Sequence, residues 1–270
     1  MTLSAPARGP VAENRRPAGS RRRASAVLGW ASLVLVGATV GLGLVLPKSA
    51  EQAEYSRLIA IHPPVAWVSY VAVAVAALAA IASLATRRAS FDRLNIASIE
   101  VGALFTALTL ATGSIWSRPT WGVWWRWDPR LTTEALLLAV LVGAVALRRA
   151  LPPGRGRAVV TSVFSLATLG LLPLVHFSVE LWRSQHQRGT LLAPDPSSNA
   201  DNPYLVAMFL GFLAFTVLYS WMVVQRVRIE ALEEEADEVL LDRALAERRA
   251  EGHAGEREAP GPPDPTPGVA

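Results

Sequence analysis

The residues best able to do chemistry in this 270-residue chain are its histidines, because it contains no cysteine. The absence of cysteine excludes a disulfide framework, a thiolate metal site, an iron–sulfur cluster and a cysteine nucleophile. Neutral imidazole is a common ligand of transition metals and of haem iron. Any such site must draw on a set of four residues: His62, His176, His186 and His253.

A second group of candidate residues is a tryptophan-rich segment. Five of the nine tryptophans fall between Trp116 and Trp127. An aromatic belt at a membrane surface explains one or two tryptophans at the end of a span. A cluster interleaved with Gly122, Arg126 and Asp128 favours instead a rigid apolar platform for a large planar ligand that is charged at one edge.

The composition indicates that a membrane positions these residues. Hydrophobic residues make up 51% of the chain and charged residues only 18%, and the mean hydropathy is +0.31. The charges concentrate in the first 25 residues, the last 45 and the short gaps between long apolar stretches, which excludes a soluble globule. The net charge of +4 does not predict nucleic-acid binding, because the arginines flank apolar stretches and do not line one face.

Six stretches approach or exceed the roughly 20 apolar residues that a helix needs to cross a bilayer. The sequence therefore predicts an all-α, polytopic membrane protein. The predicted spans are Ala26–Leu46, Leu58–Ala85, Asn95–Ile115, Leu131–Leu147, Ala158–Leu181 and Tyr204–Val224.

The distribution of basic residues predicts which way the spans point. Placing both termini in the cytoplasm puts 19 of the 26 lysines and arginines on the inside. The positive-inside rule therefore favours an N-in, C-in topology. In that topology the tryptophan-rich loop, residues 116–130, lies on the outer face together with His62 and His186.

The terminal segments differ in composition from the predicted six-helix domain, residues 26–224. Residues 1–25 form a basic, proline-containing tail that we expect to be disordered near anionic lipid headgroups. Apolar residues at helical spacing predict a charged cytoplasmic helix over residues 225–251. Residues 252–270 contain five prolines and are expected to be disordered, which makes His253 incidental.

Each outer histidine has a simple explanation when it is considered alone. Proline is favoured at the first helical position, so we expect the second helix to begin at Pro63 with His62 just before it, as a capping or interfacial residue. His186 follows the fifth span in a loop. His176 lies inside that span, four residues before Glu180, and we expect a structural role with a hydrogen bond to Glu180 or to a neighbouring helix.

Together, two outer histidines and a tryptophan platform indicate a bis-imidazole haem site. The propionates of such a haem need cations, and Asp128 either orients a ligand or an arginine or caps the fourth helix. The arginines available on the outer face are Arg57, Arg118, Arg126 and Arg130.

The segment WGVWWRWDPRLT, residues 121–132, resembles the tryptophan-rich WWD signature of haem-handling proteins in cytochrome c biogenesis. Within that group the chain is similar to the CcmC family over residues 26–224, on the motifs HPPVAW at residues 62–67 and HFSVE at 176–180 followed by His186. It departs from the family pattern at Pro129 and at residues 183–185, which leaves the subfamily open.

The resemblance implies a protein of the bacterial inner membrane that binds haem b on the outer face and presents it to the haem chaperone CcmE. The ABC transporter CcmAB and the small subunit CcmD complete the implied assembly, and the chain itself is expected not to be an enzyme. By match to the family, His62 and His186 are the axial ligands. Of the arginines on the outer face, Arg57 and Arg130 are expected beside the haem. The implied platform consists of Trp121, Trp124, Trp125, Trp127 and Asp128.

Three alternatives remain open from the sequence. A membrane cytochrome b that transfers electrons usually holds haem between histidines inside facing helices, whereas both candidates here flank helices. A haem–apocytochrome c ligase of the larger WWD type typically has more spans. A small-molecule permease predicts internally repeated halves with polar residues in the membrane, but we find no repeat, and we expect the deepest acid, Glu100, to pair locally.

Overall fold

The computed structural model describes residues 18–48, 53–186 and 202–258, and its regular elements are all helices, with no β-strand in these ranges. The predicted all-α class is thus confirmed. The elements are α1 Ala18–Val45, a short 3-10 helix Glu54–Ala60, α2 His62–Thr86, α3 Ala89–Trp121, α4 Pro129–Ala150, α5 Arg155–Leu181 and α6 Asn202–Glu258.

The chain is a multi-pass membrane protein, since six of its helices are long and apolar enough to cross a bilayer. Each predicted span overlaps one of them. The first predicted span runs one residue past the end of α1, and the second begins at Leu58, in the 3-10 helix before α2. The other helices are longer than the predicted spans, most clearly α3, which extends from Ala89 to Trp121. Hydropathy marks only the part of a helix that lies in lipid, and the helical hydrogen bonding continues through the charged residues at its ends.

The chain divides into two compact units, residues 1–227 and 228–270. The described part of the second unit, residues 228–258, is helical. The helix continues to Glu258, so the predicted tail 252–270 begins with helical residues, and the remainder lies outside the described ranges. Of the predicted N-terminal tail, residues 18–25 are helical and residues 1–17 lie outside those ranges.

Helix α2 lies at the centre of the first unit and packs against α3 and α5, while α4 also packs against these two helices. The buried face of α2 is rich in small residues such as Ala72, Ala76 and Ala80. A Cβ atom at Gly102 of α3 would lie only 3.0 Å from the Cβ of Ala72. Small residues at such contacts let two helix backbones approach closely, which favours association inside lipid.

Buried hydroxyl groups add polar contacts between these helices. Ser98 of α3 donates a hydrogen bond to the carbonyl of Ala72 at 2.8 Å, and its oxygen lies 2.6 Å from the hydroxyl of Tyr219 on α6. Ser165 of α5 donates to the amide oxygen of Asn95 at 2.6 Å. Each contact satisfies a polar group that has no access to water.

Ion pairs cross the end of the bundle that lies far from the tryptophan-rich segment. Arg148 near the end of α4 pairs with Asp92 at 3.0 Å, and its side chain is only 3% exposed. Glu100 contacts both Arg149 and Arg226, so the prediction that it is paired is confirmed. These pairs join α3 to α4 and α6 and hold the helices whose opposite ends carry the candidate site.

Candidate functional site

A large cavity lies between the helices at the end of the bundle that carries the tryptophans. Its volume is about 1290 Å³. Typical small-molecule pockets occupy roughly 300–1,000 Å³, so this cavity has room for a large ligand. His62, His176 and His186 all line it, and most of the other lining residues are apolar or aromatic.

His62 is anchored against α3. It is the first residue of α2, one position earlier than predicted, with Ile61 as the N-cap and Pro63 in the first turn. Its Nδ1 atom lies 2.9 Å from the hydroxyl oxygen of Thr112, and its ring meets Trp116 edge-on with 5.7 Å between centroids. One ring nitrogen is therefore engaged with protein, and Nε2 is the nitrogen left for a ligand.

His186 approaches the same cavity from the segment after α5, which ends at Leu181. Its ring lies edge-on to Trp121 with 5.9 Å between centroids. His62 lines the same cavity. The fold therefore brings together the two histidines that the sequence singled out, although 124 positions separate them in the chain.

Asp128 holds the segment that carries His186. One carboxylate oxygen accepts a hydrogen bond from the backbone N–H of Arg130 at 3.0 Å, which makes Asp128 the N-cap of α4. The carboxylate also accepts from the hydroxyl of Ser184 at 2.8 Å and from the backbone N–H of Gln185 at 2.8 Å. Asp128 thus caps α4, one of the two roles considered for it, and its carboxylate also binds the two residues that precede His186.

A second contact joins the same two segments. The guanidinium of Arg126 donates to the side-chain oxygen of Gln185 at 2.7 Å. The hydroxyl oxygen of Ser184 accepts from the backbone N–H of His186 at 3.0 Å. The loop between α3 and α4 is therefore connected through hydrogen bonds to the backbone of His186.

The tryptophans divide into two groups. Trp116 and Trp121 line the cavity, whereas Trp124 and Trp127 do not and are 59% and 79% exposed. Trp125 is half-buried and meets Trp127 edge-on with 5.6 Å between centroids. The sequence predicted one platform, but only Trp121 of the four predicted platform tryptophans faces the cavity.

The irregular part of the tryptophan-rich segment is shorter than the predicted loop 116–130. Helix α3 continues to Trp121 and ends at Gly122, whose φ of 79° is a conformation that glycine adopts without strain. Helix α4 then begins at Pro129. The helical turn at the end of α3 explains why Trp116 and Trp121 lie in the cavity wall while the following residues do not.

The two arginines predicted beside the ligand have different surroundings. Arg130 lines the cavity and donates to the backbone carbonyls of Val175 and His176 at 3.2 and 3.1 Å. Arg57 is not among the cavity-lining residues. It donates to the carbonyl of Leu46 at 2.9 Å and pairs with Glu54, so its position in this structure does not bear out the expected place beside the ligand.

The deeper part of the cavity contains polar residues that the sequence analysis did not single out. Tyr70 of α2 and Glu134 of α4 line it together with His176. The expectation for His176 was a structural role with a hydrogen bond to Glu180 or to a neighbouring helix. Its ring packs edge-on against Phe177 and against Tyr70 of the neighbouring helix α2, with centroids 4.8 and 6.1 Å apart. The signal that could have identified Glu134 is its position as an acid inside the predicted span Leu131–Leu147, whereas the sequence analysis considered only Glu100.

Within the described ranges no group of three histidine, aspartate or glutamate residues could hold a bare metal ion. A haem iron needs only two ligands from the protein, because the porphyrin supplies four. A broad apolar cavity with imidazoles on different elements fits such a ligand.

Comparison with known proteins gives concordant matches. The model of the family described as Heme exporter protein C, or CcmC, matches residues 11–241. The chain is 35% identical over 213 residues to Heme exporter protein C of Haemophilus influenzae, covering 78% of this chain and 86% of that protein. It is 33% identical over 205 residues to Heme exporter protein C of Escherichia coli K12, covering 73% and 83%. A ccmC-like mitochondrial protein of cytochrome c biosynthesis from Arabidopsis thaliana is 32% identical over 162 residues, 60% of each chain.

Proposed function

The chain belongs to the heme exporter protein C family, CcmC, and we propose that it binds haem b between His62 and His186 and passes it to the chaperone CcmE during cytochrome c maturation. The observation that carries this proposal is the convergence of these two histidines on one large apolar cavity. The haem is cargo in this proposal, and the protein delivers it without changing it chemically.

The iron would be held by one imidazole from each side. His62 starts α2 and is backed by Thr112, and His186 follows α5 and is held through Ser184. Two neutral imidazoles donate electron pairs to the iron without any covalent bond to the porphyrin. Such ligands can be replaced one at a time, which suits a protein that must release its cargo.

The porphyrin ring and its propionates would contact different residues of the cavity. Trp116 and Trp121 stand beside the two histidines and offer apolar surface to the macrocycle. Arg130 is the cavity-lining arginine and is suited to a carboxylate, since a guanidinium presents several N–H donors in a fixed plane. A propionate would compete there with the backbone carbonyls that Arg130 now contacts.

The exposed tryptophans supply the surface for the transfer step. Trp124 and Trp127 lie outside the cavity on the short loop after Gly122, next to residues that hold the His186 segment. Tryptophan is enriched at the centres of protein interfaces, because it buries a large area in one side chain. We therefore assign the docking of CcmE to this loop, with the ABC transporter CcmAB and the small subunit CcmD as further partners.

The sidedness of the protein follows from charge. The topology with most arginines in the cytoplasm puts the cavity on the periplasmic side of the inner membrane. The sequence contains no glycine-rich phosphate-binding loop with a following lysine, so we assign any energy supply to a partner. We therefore infer a binding and transfer protein. Its six candidate spans, fewer than a haem–apocytochrome c ligase of the larger WWD type typically has, favour this function over that alternative.

The electron-transfer alternative makes a different prediction from the same residues. In a cytochrome b, the haem stays bound through repeated oxidation and reduction between histidines within helices. Here His186 lies outside any helix, on a segment held by hydrogen bonds to a loop. A ligand of this kind favours release over permanent retention.

The ligand assignment is tested by absorption spectroscopy of the full chain purified from a haem-rich host. We expect wild-type protein to carry low-spin, bis-histidine haem, and His62→Ala and His186→Ala to carry less haem with an altered spectrum. His253→Ala is the matched control and should behave as wild type. Unchanged bis-histidine absorbance in both variants would refute the assignment.

The docking surface is tested by the yield of haem-loaded chaperone. Trp124→Ala combined with Trp127→Ala should lower the amount of haem-loaded CcmE while haem bound to the chain itself stays near normal. Trp30→Ala, which removes an equally exposed tryptophan on α1, is the control. Normal chaperone loading by the double variant would disprove the surface.

A further inference from the structure

The His62 ring lies within hydrogen-bonding distance of a threonine hydroxyl on α3. Thr112 lies on α3 opposite the start of α2, and its hydroxyl oxygen is 2.9 Å from Nδ1 of His62. The same hydroxyl lies 2.8 Å from the backbone carbonyl of Leu108 and 3.2 Å from that of Thr109. Three possible partners therefore surround one hydroxyl group.

Only one direction of hydrogen bonding satisfies all of these contacts. A threonine hydroxyl has one proton and two lone pairs. A threonine inside a helix characteristically donates that proton to the carbonyl four residues earlier, here Leu108. The carbonyl oxygen cannot donate, so the oxygen of Thr112 is left to accept a proton from Nδ1 of His62.

We propose that Thr112 sets the tautomer of His62, holding the proton on Nδ1 so that the lone pair of Nε2 faces the ligand. Thr112 is a positioning residue in this proposal, because it acts through His62. The tautomer itself is a property of the haem-free protein. Its use in binding iron rests on the proposed function.

Two neighbours confine the ring in this orientation. Gly113 follows Thr112, and a Cβ atom there would lie 3.1 Å from Cε1 of His62, so the edge of the ring rests directly on the α3 backbone. Trp116 covers the ring from the next turn at 5.7 Å. A hydroxyl, a glycine and an indole on one face of α3 thus form a seat for a single imidazole.

The hydrogen bond from Nδ1 of His62 to Thr112 would also strengthen the bond from Nε2 to a metal. A histidine ligand whose second nitrogen donates a hydrogen bond is held in one orientation and becomes a stronger electron donor. Loss of such an outer contact typically lowers metal affinity about 10- to 100-fold. A stronger donor also favours ferric over ferrous iron, so loss of the contact should raise the midpoint potential of the bound haem.

The test compares Thr112→Val, which removes the hydroxyl at nearly constant shape, with Thr112→Ser, which keeps it. Thr106→Val is the control, because the Thr106 hydroxyl makes the same bond to the helix, to Gly102, but is not part of the His62 seat. The full chain is labelled with ¹⁵N-histidine, and the His62 ring signals are assigned by their loss in His62→Ala.

In haem-free protein we expect the Nδ1–H tautomer for wild type, Thr112→Ser and Thr106→Val, and a mixture of both tautomers for Thr112→Val. In haem-loaded protein we expect Thr112→Val to bind haem about 10- to 100-fold more weakly, at a higher midpoint potential, with rescue by Thr112→Ser. An Nε2–H tautomer in the wild type, or an unchanged tautomer in Thr112→Val, would overturn the inference.

The haem-free measurement tests the tautomer of His62, and the haem-loaded measurement tests the proposed haem binding, so the two can fail separately. If His62→Ala kept the haem spectrum of the wild type, the proposed axial ligand would be wrong. The signals of the haem-free protein would then still decide the tautomer. If the tautomer behaved as expected but the haem affinity of Thr112→Val were unchanged, the positioning role would be refuted.

Discussion

Replacing Asp128 by asparagine tests whether its carboxylate holds the second proposed ligand in place. Asparagine is as good an N-cap as aspartate, so the bond from the backbone N–H of Arg130 can persist and α4 should remain intact. The other oxygen becomes an amide NH₂ group. It can no longer accept from the backbone N–H of Gln185, which lies 2.8 Å from that oxygen in the native protein.

The expected loss of haem affinity in Asp128→Asn follows from the loss of one hydrogen bond to a buried charge. Asp128 is only 4% exposed. A hydrogen bond to a charged group contributes about 1.5–3 kcal/mol. If the whole loss appears as disorder of the His186 segment, haem affinity falls about 10- to 100-fold, because ~1.4 kcal/mol corresponds to a factor of ten.

The assay is titration of the haem-free full chain with haem, followed by the Soret absorbance, together with the rate of haem loss to an added haem-binding protein. We expect Asp128→Asn to bind more weakly and to lose haem faster. Its spectrum should shift toward that of His186→Ala, and thermal unfolding should change little. Glu180→Gln is the matched control, since it removes one negative charge from an exposed residue at the end of α5, just before the His186 segment.

Two results would refute the reasoning. Wild-type haem affinity in Asp128→Asn, alongside a clear loss in His186→Ala, would show that the carboxylate does not hold the ligand segment. An equal loss in Glu180→Gln would show that negative charge near the site matters and the hydrogen bonds of Asp128 do not.

Three further predictions concern the surroundings of the site. Gly113→Ala should improve the helical propensity of α3 by about 0.5–1 kcal/mol yet weaken haem binding in a Soret titration, because its methyl group would displace the His62 ring. His176→Ala should reduce co-purified haem less than replacement of either proposed ligand, and an equal loss would show that His176 is itself a ligand. Arg148→Ala removes a buried arginine from its pair with Asp92, whose side chain is 13% exposed, and should lower stability by up to about 3 kcal/mol in thermal unfolding. Arg149→Ala, at an exposed pair, should cost less than ~1 kcal/mol.

Much of the fold could be predicted from the sequence because a membrane imposes strict rules. A segment in lipid must satisfy its own backbone hydrogen bonds, so a long apolar stretch has to be a helix. All six spans were found in this way. The ends were less accurate, as at α3, because the turns beyond the lipid are polar and their helical state depends on local caps such as Gly122.

The candidate site was only partly predictable. Residue type identified His62, His186 and the tryptophans, since few side chains can bind a metal or cover a large planar ligand. It did not separate Trp121, which lines the cavity, from Trp124 and Trp127, which are exposed. That division depends on where α3 ends.

The sequence by itself determined that the chain is a helical membrane protein with imidazole and indole groups near one end of its spans, because composition and periodicity are local properties. Only the tertiary structure decided which residues hold those groups, namely Thr112 beside His62 and Asp128 beside the His186 segment. It also decided that, of the two predicted arginines, Arg130 lines the cavity and Arg57 does not. Hydrogen bonds between segments fifty or more positions apart leave no mark on the spacing of residues. They depend on how the helices pack.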